Sequence, residues 1–285
     1  MSVVIVGATG HLGRLVVEEL LERGTPAREI VATGRDAERL AALAASGVRT
    51  ARIDLDDPAT LAPAFSGADT LLLISASEPG RRVAQHRAAI DAAVAAGVGH
   101  IVYTSAPNAT ESTLVLAPDH KATEELLAAS GITRTILRDN WYHENYVPQF
   151  EQARDHGSFI GSAGEGLVPS AARRDFAAAA AVVLADPAAH ADAVYELTGD
   201  TAWTYAELAE TLSEVLGREV VYKNLSTEEH VAFLVEVGLD EGTAGFVAAL
   251  DGNIRDGALG EPTGDLRRLI GRPSTPLVDT LRALA

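Results

Sequence analysis

Three glycines, Gly7, Gly10 and Gly13, stand at regular spacing directly after the apolar run Val3 to Val6 and at the opening of a helical pattern that runs from Leu12 to Arg23. In a strand-turn-helix unit, one such glycine permits the tight turn. A second lets backbone N–H groups approach a pyrophosphate, and a third lets the helix pack against the strand. The helix N-terminus adds partial positive charge where the phosphates would sit. Loops also use glycine for backbone freedom alone, so the context decides. Here the turn is followed by short apolar runs at Ile30 to Thr33, Val48 to Ile53, Thr70 to Ile74, Ile101 to Thr104 and Thr133 to Leu137. Between them lie helical patterns at Ala37 to Ala45, Ala59 to Phe65, Arg81 to Ala96 and Lys121 to Ser130. This βαβα order predicts an α/β protein with a Rossmann-type doubly wound parallel sheet, right-handed crossovers and helices on both faces. Ligands then bind beyond the carboxyl ends of the strands, and the ligand this turn specifies is a dinucleotide.

After Leu137 the alternation stops. The segment Asp139-Asn140-Trp141-Tyr142-His143-Glu144-Asn145-Tyr146 is aromatic and polar. Two capping-box patterns, Thr204-x-x-Glu207 and Ser226-x-x-Glu229, open helices further on, and Val194 to Leu197 and Glu219 to Tyr222 read as short strands. The expected organisation is a dinucleotide-binding domain over 1–138, to whose sheet later segments are free to return, and a smaller α+β substrate-binding part over 139–285.

A 47% hydrophobic content supports a full core. The net charge of -17 repels phosphate backbones, which argues against nucleic-acid partners. With no cysteine, disulfides, thiolate nucleophiles and iron–sulfur clusters are excluded. No His-x-x-x-His or clustered carboxylates suggest a metal, and no Gly-x-Ser-x-Gly elbow suggests a hydrolase. The opening residues enter a strand without a leader pattern, and no apolar run nears the roughly 20 residues of a membrane helix. The expectation is a cytoplasmic protein without a membrane partner. Monomer and homodimer are both compatible with the composition.

The second strand bears on the choice of cofactor. NAD-binding domains usually end it in Asp or Glu, which accepts hydrogen bonds from the ribose hydroxyls. Here it ends Ala32-Thr33-Gly34-Arg35, so a 2'-phosphate would meet a guanidinium. NADPH is favoured over NADH. Two alternatives stay open: Arg35 as a solvated partner of Asp36, and Asp36 as the ribose acid in a shifted turn.

The sequence resembles the NmrA-like group of atypical short-chain dehydrogenases, and within it the NAD(P)H:quinone oxidoreductases of the second type. The likeness is carried by Gly7 to Gly13, Leu71 to Glu78, Gln85-His86-Arg87, Tyr103-Thr104-Ser105, His120 with Thr123-Glu124, and Arg138 to Tyr142 with Glu144-Asn145-Tyr146. Arg173-x-Asp175, Tyr195 to Asp200 and Leu269 to Pro273 extend it over nearly the whole chain. The resemblance implies NADP(H) bound by Gly7, Ala8, Thr9, Gly10, His11, Leu12 and Gly13, by Arg35 at the 2'-phosphate, and by Leu72, Leu73, Ile74, Ser75, Ala76 and Ser77. It further implies cofactor contacts from Asp139, Asn140, Trp141, Tyr142, His143, Glu144 and Arg173. For Arg173 an ordinary ion pair with Asp175 is the competing explanation.

Most short-chain dehydrogenases carry Tyr-x-x-x-Lys after the fifth strand, the lysine lowering the tyrosine pKa for proton transfer. By the family's pattern His120 stands at the lysine position and Leu116 at the tyrosine position, with Lys121 one helical step of about 100° off the required face. Quinone reduction tolerates this loss, because a hydroquinone anion is protonated by water or a modest donor. The expected catalytic group is therefore Tyr142 and Asn140, hydrogen-bonding a quinone oxygen, with His120 orienting the nicotinamide ribose or relaying a proton. Trp141, Tyr142 and Tyr146 are candidates for stacking on a flat ring. Packing of these aromatics into the appended part, and a capping role for His120, are the alternatives. The function expected is NADPH-dependent hydride transfer to a quinone or similar planar acceptor, a cationic dye included. A non-catalytic NADP(H)-sensing regulator is the competing class.

Overall fold

The computed structural model describes residues 2–78 and 80–285. Its elements run β1 (Val3–Val6), α1 (His11–Glu22), β2 (Ile30–Gly34), α2 (Ala37–Ala44), β3 (Arg49–Arg52), α3 (Leu61–Phe65), β4 (Thr70–Leu73), α4 (Arg82–Ala95), β5 (His100–Ser105), α5 (Ala117–Ser130) and β6 (Thr133–Asp139). They continue with α6 (Val147–His156), β7 (Ser158–Gly161), α7 (Arg173–Ala185), β8 (Val194–Leu197), α8 (Tyr205–Leu216), β9 (Val221–Asn224), α9 (Thr227–Glu236), α10 (Glu241–Arg255), α11 (Asp265–Ile270) and α12 (Leu277–Arg282). Two compact units result. The first takes the chain to Thr110, then Pro118–Asp139 and Arg173–Glu196; the second takes Glu111–Ala117, Asn140–Ala172 and Leu197–Ala285.

The first unit is a seven-stranded sheet of order β3-β2-β1-β4-β5-β6-β8. β1 pairs in parallel with β2 on one side and β4 on the other, and β2–β3, β4–β5 and β5–β6 are also parallel. The winding direction therefore reverses between β1 and β4, where a doubly wound sheet opens its ligand crevice. All four residues of β1 are buried, as are those of β4, because both faces are covered and no polar alternation is called for. Val4, Val6, Leu71, Leu73, Ile101 and Tyr103 meet Phe65 of α3, Ala89 and Ile90 of α4 and Leu127 of α5. Their neighbours in the strands, Val3, Ile5, Leu72 and Val102, are equally buried and project to the opposite face. There α1 and α7 pack side by side. The run Ala177–Ala181 of α7 is wholly buried, and its short side chains let the two helices approach closely. Arg174 reaches across from α7 to Glu19 (3.3 Å) and Glu22 (3.0 Å) of α1.

The strand Val194–Leu197 is a later segment that returns to the main sheet: β8 extends it beyond β6, with Ile136 donating to Ala193 O (2.9 Å) and Asp192 to Arg134 O (2.7 Å). Side-chain periodicity identifies a strand but not the edge to which it adds.

The second unit pairs β7 in parallel with β9, and Phe159 lies directly beside Tyr222, ring centroids 5.3 Å apart. Its core gathers Tyr146, Phe150, Phe159, Trp203, Tyr205, Leu208 and Leu212. Both capping boxes form: Thr204 and Glu207 exchange hydrogen bonds at the start of α8, as do Ser226 and Glu229 at the start of α9. Each satisfies helix N–H groups that would otherwise lack partners, worth about 1 kcal/mol per cap. Among the described residues no helix is long and apolar enough to cross a membrane.

Candidate functional site

The glycine turn leaves β1 with Gly7 at φ 87°, a conformation that costs glycine nothing. Ala8 donates to Thr33 O of β2 (2.9 Å) and Gly10 to Gly7 O (3.0 Å), which closes the turn. A methyl group on Gly13 would lie 2.3 Å from Gly7 O and 2.6 Å from Ala8 Cα, so α1 can sit this close to the turn only with glycine there. Gly10 caps α1 without a side-chain hydrogen bond, and no acidic residue lies in the first turn. The N–H groups and positive end of α1 thus remain available to an anion. His11, the first residue of α1, is exposed.

At the end of β2, a methyl group on Gly34 would meet Thr9 Oγ1 at 2.3 Å, so this glycine makes room for the turn's own side chain. Asp36 is the N-cap of α2: its Oδ1 accepts from Glu38 N and Arg39 N, both at 3.0 Å. That commitment weighs against Asp36 as a ribose-binding acid. Arg35 is mostly exposed and pairs with Glu78 at 2.9 Å. Arg39 donates to Thr9 O in the turn (3.2 Å), and Arg52 at the end of β3 to Arg35 O (3.2 Å). Several guanidinium groups therefore gather at the carboxyl ends of β2 and β3, as charge-assisted recognition of a phosphate requires.

Beyond β4, Ile74 N donates to Val6 O (3.3 Å), and a Cβ on Gly7 would touch the Ile74 side chain at 3.3 Å. Ser75 N donates to Thr104 Oγ1 (2.9 Å), Ala76 N to His86 Nε2 (2.9 Å), and Arg82 Nε to Ala76 O (2.6 Å). Since the backbone N–H must donate, His86 Nε2 is unprotonated and its proton is on Nδ1, directed to Thr123 Oγ1 (2.9 Å). Thr123 in turn donates to Asp119 O (2.8 Å). Burial, followed by the nearby His120 and Arg82, pushes the His86 pKa down to about 3, so this tautomer persists at neutral pH.

His120 is also buried, with Nδ1 2.9 Å from the Tyr103 hydroxyl, and burial together with Arg82 pushes its pKa down to about 3. Lys121, one residue on, is exposed, and Leu116 precedes α5. Burial holds the Tyr103 hydroxyl well above the ordinary phenol range. Burial outweighs the lowering effect of the Arg82 charge on this tyrosine, so the pair is a neutral hydrogen-bonded one. A second buried group, Arg138, binds Glu124 Oε2 and Glu196 Oε1, each at 2.7 Å, while Ser105 Oγ donates to Glu124 Oε1 (2.6 Å).

In the second unit, Asn140 Nδ2 donates to Leu259 O (2.8 Å) and its Oδ1 accepts from Trp141 N (2.8 Å). His143 is buried between Ser170 O (3.1 Å) and Thr280 Oγ1 (3.0 Å). Tyr142 forms a bridge to Ala171, and Trp141 packs half-buried on the core. Tyr146 lies inside that core, edge-on to Trp203 (4.7 Å) and Tyr205 (5.7 Å), so it is a packing residue and does not stack on a bound ring.

A model of the NmrA-like family matches residues 1–245. The chain belongs to the NmrA-like family. This NmrA-like protein is 46% identical over 282 residues to quinone oxidoreductase 2 of Escherichia coli (strain K12), covering 99% of this chain and 98% of the relative. The solved structure of the NADPH-dependent quinone oxidoreductase from Escherichia coli complexed with NADPH matches with a TM-score of 0.95 and 46% identity over 99% of both chains. That of the Citrobacter sp. triphenylmethane reductase complexed with NADP(H) matches with a TM-score of 0.94 and 37% identity over 100% of both.

Within its first unit the NmrA-like protein brings together the turn Gly7–Gly13, Arg35, and Leu72–Ser77 at the ends of β1, β2 and β4. Asp139 closes β6, and Arg173 opens α7 in the same unit. Asn140, Trp141, Tyr142, His143 and Glu144 belong to the second unit. Sequence reasoning missed Arg39, the Glu78 carboxylate on Arg35, and the His86 and Tyr103 hydrogen bonds. A signal for His86 existed: Arg82, Gln85, His86, Ala89, Ile90 and Ala93 form the buried face of α4, and polar residues on such a face need buried partners.

Proposed function

We propose that this chain is an NADPH-dependent oxidoreductase that reduces a quinone or a similar planar acceptor. The observation that carries the reading is the end of β2, where Gly34 holds the position of the usual ribose-binding acid, Arg35 follows it and Asp36 is committed to capping α2. The similarity to a quinone oxidoreductase over nearly the full length supports the acceptor class. The uncapped N-terminus of α1 fits a pyrophosphate, and Gly13 and Gly34 let α1 and the Thr9 side chain pack closely around that turn. When bound, reduced NADP supplies a hydride.

In this reading the backbone of Gly7–Gly13 binds the pyrophosphate and Arg35 the 2'-phosphate. The Leu72–Ser77 segment, pinned by Thr104 and His86, forms a fixed wall for the cofactor. His120 is neutral at physiological pH and so acts as a hydrogen-bonding partner of Tyr103, not as an imidazolium acid. On the acceptor side we assign the Tyr142 hydroxyl, with Asn140 holding the chain that carries it. Further cofactor contacts are assigned to Asp139, Trp141, His143, Glu144 and Arg173. A hydroquinone anion needs no strong acid, which accords with the loss of Tyr-x-x-x-Lys. A cytoplasmic location, where NADPH is regenerated, fits this activity.

The test is NADPH oxidation by purified protein with a panel of simple quinones, NADH in parallel and cofactor binding measured separately. Quinone-dependent oxidation with NADPH preferred is the expected result. Tight NADPH binding without turnover of any acceptor would overturn the catalytic half of the proposal and favour a sensor.

A further inference from the structure

Arg35 already has an anionic partner. Its Nη1 is 2.9 Å from Glu78 Oε1, a carboxylate borne by the segment that follows β4. The other oxygen, Oε2, accepts from Arg81 Nη1 and Gln85 Nε2, both at 3.2 Å. Arg81 and Gln85 are held from the far side by Asp56, at 2.6 Å from Arg81 Nη2 and 3.2 Å from Gln85 Nε2. Glu78 is thus an anion seated among donors that a phosphate would use equally well. The Arg35 hydrogen bond, followed by that of Gln85, holds its carboxyl below the usual range, so it is ionised at neutral pH.

We propose that Glu78 is a specificity-determining residue: its carboxylate occupies Arg35 in the cofactor-free protein, and a 2'-phosphate must displace it. The inference rests on the reading that Arg35 receives that phosphate. Two negative groups cannot share one guanidinium without repulsion, so the Arg35–Glu78 pair subtracts from NADPH affinity and leaves NADH, which lacks the phosphate, unaffected. With NADH the pair stays closed. Glu78 therefore narrows the preference for NADPH that Arg35 by itself would create. Because Arg35 is largely exposed, the pair is solvent-screened and its effect is a modest one, about two- to fivefold in affinity and larger at low salt.

The experiment is a double-mutant cycle on the full chain with NADPH and NADH dissociation constants read by titration at low and moderate salt. Glu78→Gln keeps the size and the Gln85 contact region but removes the charge. Expected is a two- to fivefold tighter NADPH constant with NADH nearly unchanged, the gain shrinking with salt and vanishing in the Arg35→Ala background. An NADPH/NADH ratio that stays the same or falls in Glu78→Gln overturns the proposal, as does an equal gain with and without Arg35, which would reduce Glu78 to a diffuse charge. If the unaltered protein shows no NADPH preference and Arg35→Ala changes neither cofactor, the reading of Arg35 itself fails, and that outcome is separate from the others.

Discussion

Lowering the pH from 7 to 5 should cost this protein about 4 kcal/mol of stability through two histidines. His86 and His120 are both buried within the first unit, and burial pushes each pKa down to about 3 from an ordinary value near 6.5. Below 6.5 the unfolded chain takes up a proton at each site while the folded chain does not. Their contribution is therefore fully present above that pH and is lost progressively as pH falls towards the folded values. At pH 5 the unfolded imidazoles are almost fully charged, and one and a half units of differential protonation correspond to about 2 kcal/mol per histidine. The figure hardly changes for any folded pKa below about 4. Set against a typical total of about 5–15 kcal/mol, this is a large loss. The assay is urea unfolding of the cofactor-free protein at the two pH values for wild type, His86→Gln, His120→Gln and the double variant. Each single variant should lose about 2 kcal/mol of the pH effect and the double variant about 4 kcal/mol, whatever its stability at pH 7, while His100 and His230, which burial also holds below the ordinary range, contribute alike in all four proteins. Approach to the isoelectric point relieves the repulsion of a -17 net charge, but equally in all four proteins. A double variant with the wild-type pH dependence would show that the two imidazoles titrate freely, against the buried hydrogen bonds described.

Arg35→Ala should weaken NADPH binding about tenfold and leave NADH nearly unchanged in titration; equal losses would show that it does not read the 2'-phosphate. Gly13→Ala places a methyl group 2.3 Å from Gly7 O and 2.6 Å from Ala8 Cα. Since neither backbone atom can yield, it should abolish cofactor binding and lower the melting temperature, and retained affinity would refute the close packing. Glu124→Gln removes one of the two carboxylates on buried Arg138, Glu196 remaining, and should destabilise by about 1–3 kcal/mol in urea unfolding. Tyr142→Phe should slow quinone turnover without weakening NADPH binding, whereas unchanged turnover would remove its hydroxyl from the mechanism.

Much of the first unit was readable because its information is local. The run Val3–Val6 is apolar throughout, as a strand covered on both faces must be, and the glycines that follow are dictated by contacts only a few residues long, such as Gly13 against Gly7. The capping boxes of α8 and α9 are local in the same sense, four residues exchanging two hydrogen bonds. Tyr146 illustrates the limit. An aromatic residue has the same letter whether it stacks on a ligand or on Trp203, and only the contacts 4.7 and 5.7 Å away show that it is core.

By itself, then, the sequence determined the strand-turn-helix phosphate cradle, the doubly wound first unit as far as β6, the glycine in place of a ribose-binding acid with the arginine that follows it, and the loss of Tyr-x-x-x-Lys. These depend on residue type, spacing and periodicity along a short stretch of chain. The tertiary structure alone decided that β8 returns to the main sheet, that Asp36 caps a helix, that Glu78 sits on Arg35 some forty residues away, and that His86 and His120 are buried and neutral. The physical reason is that partner choice and protonation state depend on what burial brings within a few ångströms, and residues distant in sequence carry no mark of that proximity.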